Sequence, residues 1–315
     1  MPVFTSEQKH VSLAEAATIV QDGMTVAIGG GLSWREPMAF LRELIRQGRH
    51  DLHIIGTAHG VDVDLLCGAN AVSIIEESYV GFEQDFGMAP NFRRACQQGT
   101  TKVHDTCCHT LLQQLRAAEY GVPFLPVRSI QGTDFLQLHP EYKTMTCPFT
   151  GLPLVLVPAL APDVALIHAQ YGDIHGNLKI LPPLVADMLF IRASKHVLAT
   201  VDRLVSTEEL QAMEPNVPYF WVETVTEVPY GAHPTSCYPF YAYDRAHLTE
   251  YYHAAQGGSE MFARAYLDRY VYEPTTHDEY LQRIGGTAHC QALAGWQESD
   301  EAWQRLFTAP EGAIV

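Results

Sequence analysis

Short apolar runs alternate along this chain with stretches in which apolar residues recur every three or four positions, the pattern of strands joined by helices. Ser12-Leu-Ala-Glu15 reads as a capping box that opens a helix through about Gln21, and Asp22-Gly23 closes it before a strand starting at Met24. Phe40, Leu41, Leu44 and Ile45 share one face of a helix predicted over 38–49. Strands are predicted over 51–58 and 71–79, with a short helix over 61–67 between them. A helix over 91–98, an extended segment over 101–106, a helix over 107–120 stopped by Gly121, and an extended segment over 123–129 follow. The most apolar runs, 154–160 and 164–170, are expected side by side in the interior of the sheet. Pro182-Pro183 is expected to start a helix to about Ser194, followed by a strand over 196–205, a second capping box at Ser206-Thr-Glu-Glu209 and a strand over 223–229. The expected fold class is α/β, an open layered fold with a largely parallel sheet covered on both faces. Beyond Tyr230-Gly-Ala-His-Pro234 the segments 247–255, 259–272 and 277–284 are tyrosine-rich and helical. The expected organisation is one α/β domain over 1–245, with a helical extension over 246–315 packed on it.

Composition narrows the classes of partner. Twenty Lys and Arg stand against 36 Asp and Glu, a net charge of −16 that disfavours nucleic acid and requires any anionic substrate to meet a local basic or N–H-lined pocket. The seven cysteines form no Cys-x-x-Cys pair, which argues for reduced thiols and a cytoplasmic protein. No apolar stretch approaches the roughly 20 residues that cross a bilayer, so no membrane association is expected.

Candidate chemistry centres on Met24 to Pro37, where an apolar run breaks into Gly29-Gly30-Gly31 ahead of a proline-initiated helix. Glycines permit close backbone approach, and a nearby helix start offers unpaired N–H groups, so the loop suits an anion or a developing oxyanion. The spacing is not G-x-G-x-x-G, and Ser33 lacks the Gly-x-Ser-x-Gly frame of a hydrolase elbow. A second turn, Arg128-Ser-Ile-Gln-Gly-Thr-Asp134, is expected at the same carboxyl edge of the sheet. Leu32, Ser33, Arg35, Arg128, Gln131, Gly132 and Thr133 are therefore candidates for substrate binding, with Arg35 and Arg128 offering bidentate pairing to a carboxylate. His168, Asp173 and His175 invite a metal reading, as do His59, Asp62 and Asp64 more weakly. Neither group has the spacing of an established ligand motif, and no metal is expected.

The stretch Asp22-Gly-Met-Thr-Val-Ala-Ile-Gly-Gly-Gly-Leu-Ser-Trp-Arg-Glu-Pro37 resembles the alpha-subunit signature of the class I CoA-transferases, with Gly31 where that family has Phe. The resemblance continues through Pro123-Phe-Leu-Pro-Val127, Cys147-Pro-Phe-Thr-Gly151, 163–170 and Tyr230-Gly-Ala-His-Pro-Thr-Ser-Cys-Tyr238. Together with His277-Asp-Glu-Tyr-Leu it is similar to the glutaconate CoA-transferase alpha subunit in particular. It implies a heteromeric enzyme, α2β2 or larger, whose substrates are an acyl-CoA thioester and a mono- or dicarboxylic acid. A beta subunit would supply the nucleophilic glutamate, and Gly30 and Gly31 of this chain would supply the oxyanion loop. Gly31 in place of Phe would widen the acyl pocket. A related branch, the ring-opening hydrolases of steroid catabolism, carries an acidic residue on the alpha chain in the helix before the Pro-Phe-Leu-Pro segment. Here Cys107-Cys108 occupies that region, which favours transfer over hydrolysis. A non-catalytic protein of the same fold that binds a small anion is the third reading.

Overall fold

The computed structural model describes residues 8–297 and residue 301. Its strands are β1 (Thr25–Ile28), β2 (Leu52–Ile55), β3 (Val72–Glu76), β4 (Lys102–Val103), β5 (Phe124–Val127), β6 (Lys143–Thr146), β7 (Pro153–Pro158), β8 (Val164–Gly172), β9 (Leu178–Lys179), β10 (His196–Leu204) and β11 (Thr224–Glu227). The helices of the first half are α1 (Leu13–Ala17), α2 (Met38–Arg46), α3 (Val61–Gly68), α4 (Glu83–Phe86), α5 (Pro90–Gln98), α6 (Cys108–Glu119) and α7 (Phe135–Leu138). Those of the second half are α8 (Asp187–Ala193), α9 (Thr207–Ala212), α10 (Arg245–Gln256), α11 (Ser259–Phe262), α12 (His277–Arg283) and α13 (Gly286–Ala294).

The main sheet runs β11-β10-β8-β1-β2-β3-β4 with every neighbour parallel, and β9 folds back antiparallel on β8. The alternation of side chains along a strand divides its residues between two cores. Val26, Ile28, Ile54, Leu166 and Leu198 face one layer, where Phe40, Leu41 and Leu44 of α2 meet Tyr251 of α10, and Phe262 and Tyr266 beyond it. Ala27, Ile55, Ala165, Ile167 and Ala199 face the other, against Leu111 and Leu115 of α6 and Phe190 and Ile191 of α8. The sheet is thus covered by helices on both faces, and the C-terminal helical part closes one of them.

Three expectations are corrected. The segments 123–129 and 154–160 are not in the parallel sheet: β5 and β7 pair antiparallel and, with β6, form a separate small sheet in the order β5-β7-β6. Pro126 lies in the edge strand β5, Pro153 and Pro158 stand at the two ends of β7, and only alternate residues of β7 are buried, as suits a one-sided sheet. The helix expected at Pro182-Pro183 starts later, at Asp187. The capping box at Ser12 forms as read, but α1 ends at Ala17 instead of running to about Gln21.

Candidate active site

The loops that follow β1, β2 and β3 leave adjacent carboxyl ends of a parallel sheet, where crevices form in α/β folds. A cavity of about 310 Å³ opens there. Leu32, Ser33 and Trp34 form one wall, Val61 of α3 and the segment Gly81 to Phe86 a second, and Thr235, Tyr238, Tyr243 and Leu248 a third. Asp85 in the second wall accepts from the Tyr243 hydroxyl at 3.1 Å and pairs with Arg245 at 3.3 Å.

The glycine loop is held from behind by a buried ion pair. Arg35 and Asp187 are 2% and 0% exposed, and the guanidinium bonds both carboxylate oxygens, Nη1 to Oδ1 at 3.1 Å and Nη2 to Oδ2 at 2.8 Å. Arg35 also donates to the His168 carbonyl at 3.1 Å and the Pro183 carbonyl at 2.7 Å. Burial would depress the Arg35 pKa, but the Asp187 carboxylate outweighs it and holds it above the ordinary arginine value. Gly30 sits at φ 78°, and a Cβ there would fall 2.3 Å from the Trp34 carbonyl oxygen, so only glycine fits.

This arrangement changes the roles expected for the loop. The Gly30 N–H donates to Asp187 Oδ1 at 3.1 Å, that of Gly31 to the Trp34 carbonyl at 2.9 Å, and that of Leu32 to the Ala58 carbonyl at 3.0 Å. Gly30 and Gly31 are therefore corrected as oxyanion donors, because their N–H groups are consumed within the chain. Arg35 is corrected as a carboxylate clamp, because its carboxylate is Asp187. Leu32 and Ser33 do line the cavity, and Ser33 alone in the loop has an N–H with no acceptor among the described residues. A side chain at Gly31 would point at the Ala58 carbonyl, 3.0 Å from its Cβ, and at Val185, not into the cavity.

Arg128, Gln131, Gly132 and Thr133 are not brought to this place. Their turn leaves β5 of the small antiparallel sheet, and none of them lines the cavity. Arg128 is exposed, Gln131 donates to the Pro153 carbonyl, and the Thr133 hydroxyl donates to the Ile130 carbonyl at 2.8 Å. His168 lies between the Thr200 hydroxyl at 2.8 Å and Asp202 at 3.1 Å. Asp173 accepts from the N–H groups of His175 and Asn177 at 3.0 Å and so shapes its turn.

Sequence reasoning named His59 and Asp62 but missed Glu36 and Glu77, which join them in a buried cluster beside the loop. Glu36, His59, Asp62 and Glu77 converge there, and their side chains are buried. Asp62 accepts from His59 Nδ1 and, at 2.9 Å, from the Gly60 N–H that starts α3; Glu77 lies 4.0 Å from His59 Nδ1. Burial alone would lower the His59 pKa, but the Asp62 and Glu77 carboxylates raise it to about 9. Burial likewise lifts Glu77 to about 8 and, with Asp62 beside it, pushes Glu36 well above the carboxylate range, while His59 holds Asp62 below it. A signal was present: His59 and Glu77 are polar residues set where the apolar runs 51–58 and 71–79 end.

Comparison with known proteins shows the family and the fold. The family model for coenzyme A transferase matches residues 10–228. The chain is 31% identical to the A-type subunit of glutaconate CoA-transferase from Acidaminococcus fermentans, covering 89% of this chain and 92% of that one. The crystal structure of that enzyme superposes with a TM-score of 0.85 at 30% identity over 90% of this chain and 95% of that chain. The IpdA subunit of the cholesterol ring-cleaving hydrolase of Mycobacterium tuberculosis is 33% identical, over 82% of this chain and 93% of that one. A longer Archaeoglobus fulgidus protein of unassigned role is 34% identical over 90% of this chain, which spans 64% of its length. With a family match over most of its length and a shared fold, this chain belongs to the coenzyme A transferase family as a counterpart of its A-type subunits.

Proposed function

We propose that the chain is the alpha subunit of a heteromeric enzyme that moves CoA between an acyl-CoA and a carboxylic acid, with the nucleophilic glutamate on a beta subunit. The observation that carries the reading is the cavity at the carboxyl edge of β1, β2 and β3, walled by the same loop on which the family resemblance rests. In the proposed sequence the glutamate carboxylate attacks the acyl thioester and expels CoA thiolate, leaving a mixed anhydride. The thiolate then attacks the glutamyl carbonyl, releasing the acyl group as its acid and leaving an enzyme–CoA thioester. An acceptor carboxylate repeats the steps in reverse order. Nucleophilic catalysis divides one hard exchange into easier ones in this way. Among the described residues of the loop, the Ser33 N–H is the donor available to an oxyanion, and further donors would come from the partner.

The walls also favour a kind of acyl group. No arginine or lysine is found among the described residues that line the cavity, whereas Glu83 and Asp85 are there beside Phe82, Phe86, Tyr238 and Tyr243. A second carboxylate on the substrate would meet like charge, so the expected acyl group is apolar or hydroxylated and singly carboxylic. The test is the purified assembly incubated with acyl-CoA and borohydride, followed by mass spectrometry of both chains. A trapped adduct on a beta-subunit glutamate, with better kcat/KM for monocarboxylic than dicarboxylic acceptors, is expected. An adduct on this chain would refute the division of labour, and dicarboxylate preference would refute the pocket argument.

Similarity to the ring-cleaving hydrolase supports a second reading, hydrolysis of a CoA ester. The start of α6 carries Cys107 and Cys108, and the sequence between Gly99 and Arg116 has no glutamate, which favours transfer. Turnover in water without any CoA adduct would reverse that preference.

A further inference from the structure

We propose that Glu36, His59, Asp62 and Glu77 form a buried site for one divalent transition-metal ion, seated beneath the loop that walls the cavity. Donor atoms of Glu36, His59 and Asp62 lie within 4.8 Å of one another, and all three residues are 0% exposed. Their chemistry is that of an ion site lacking its ion. Both oxygens of Glu77 and Nε2 of His59 are buried with no hydrogen-bond partner among the described residues, and the Glu36 carboxyl rests against the side chain and N–H of Asp62. Burying a carboxylate without a partner is costly, and native structures rarely leave such groups unmatched. Here several of them point into the same small volume.

Gly56 lets two of these groups approach each other closely. A Cβ there would fall 2.2 Å from Glu77 Oε1 and 2.8 Å from His59 Nε2, so glycine is what allows both side chains to pack against the end of β2. Asp62 accepts from His59 Nδ1, which fixes the ring and leaves Nε2 as the free donor, the carboxylate–histidine–metal arrangement of second-shell support. Two carboxylates and one imidazole, with Asp62 behind the ring, suit manganese, iron or zinc better than a purely oxygen-seeking ion.

The ion would tie the cavity wall to the sheet. Ala58, next to His59, accepts from the Leu32 N–H at 3.0 Å, and Glu36 follows directly on the loop, so both ends of that wall are anchored to the cluster. The sequence spoke against a metal because His59-x-x-Asp62 is no ligand motif. Glu36 and Glu77 come from segments that only the fold brings to it.

The experiment uses the intact assembly, stripped with a chelator and dialysed, then titrated with Mn2+ and with Zn2+, Mg2+ serving as control. Bound metal is measured by mass spectrometry and thermal unfolding is followed in parallel. We expect about one Mn2+ or Zn2+ per alpha chain, a higher melting temperature with the ion than without it, and at least about tenfold weaker binding in Glu36→Gln and in Glu77→Gln, the scale for lost support around a bound metal. Those variants are compared only where they fold, and the parent protein decides the matter by itself. Folded assembly that takes up no stoichiometric metal and gains no stability from it would overturn the proposal. So would an infrared carboxylic-acid band that persists in the presence of Mn2+ and disappears in Glu36→Gln, since a proton would then occupy the place given to the ion.

Discussion

Replacing Asp187 with alanine tests what holds the glycine loop. The substitution leaves the Arg35 guanidinium in a site where it is 2% exposed, with only the His168 and Pro183 carbonyls as acceptors. Removing one partner of a buried pair costs about 3–5 kcal/mol, because the remaining charge can neither pair nor reach water. Asp187 Oδ1 is also the acceptor for the Gly30 N–H, and an orphaned buried donor accounts for about 1–3 kcal/mol within such a loss. Arg35 itself stands at φ 50° and Leu32 at φ 57°, conformations that persist only where surrounding bonds over-determine them. The loop should therefore relax once the pair is cut. Urea unfolding at fixed protein concentration, read by circular dichroism and by tryptophan fluorescence, measures the loss, and Trp34 in the loop reports on relaxation before global unfolding. Asp187→Asn keeps an acceptor for Gly30 and should lose less, about 1.5–3 kcal/mol. Arg35→Met combined with Asp187→Leu removes both charges, so most stability should return while CoA exchange does not. An alanine variant within about 1 kcal/mol of the parent, with unchanged Trp34 emission, would show that the pair does not hold the loop.

Other consequences can be measured independently. Gly30→Ala sets a Cβ 2.3 Å from the Trp34 carbonyl oxygen in a left-handed conformation, and should lower stability by more than about 2 kcal/mol with loss of exchange activity. Gly31→Phe should destabilise the chain through its contact with the Ala58 carbonyl and leave the preference among acyl groups as it was, checked by kcat/KM across a series of acyl-CoA lengths. Buried His233 and His247 have pKa values below the ordinary 6.5, chiefly through burial, so the unfolded chain binds more protons than the folded one. Their contribution is whole above pH 6.5 and falls by up to about 1.4 kcal/mol per pH unit for each histidine as the pH drops below it. Glu36 and Glu77, held above the carboxylate range, act in the opposite sense, so the histidine contribution is read as a difference: the stability advantage of the parent over His247→Gln should shrink as the pH falls from 7.5 to 5.5. Tyr251→Phe takes from Asp64 a hydroxyl donor at 2.6 Å and leaves Asn91 Nδ2 at 3.0 Å and the Phe92 N–H at 2.8 Å, which should cost about 1–3 kcal/mol in chemical denaturation.

Legibility from sequence followed the range of the interactions involved. Local signals read well in part: the Ser12 capping box forms with Glu15, and the apolar residues read on α2 are buried, but so are Arg42 and Glu43, which the helical spacing sets on an opposite, charged side. The alternation of strands and helices from β1 to β4 gave the parallel sheet, since each element there is followed by its spatial neighbour. The apolar runs around β5 and β7 misled, because hydrophobicity does not say which sheet a strand joins, and the prolines in them carried that information. Charged residues were the least legible. The partner of Arg35 lies 152 residues away at the start of α8, and nothing around Asp187 marks it as the counter-ion of a glycine loop.

That distant partner also decides what the loop can do. A glycine-rich turn read in isolation is a row of N–H donors, and the expected role in acyl transfer followed from that. In the fold, Asp187, Trp34 and Ala58 take the donors of Gly30, Gly31 and Leu32 in turn, so the glycines serve shape and leave only the Ser33 N–H for a ligand. The neighbouring acids Glu83 and Asp85 in the wall make this side of the cavity electronegative, whereas the buried quartet adds little, with Glu36 and Glu77 held above the carboxylate range and charged His59 set against Asp62. An oxyanion developing there needs positive potential from elsewhere. On the proposed assembly that potential must enter with the beta subunit or with a cation on Glu36, His59, Asp62 and Glu77, and the two sources separate cleanly. Chelation would weaken catalysis in the second case and leave it unchanged in the first.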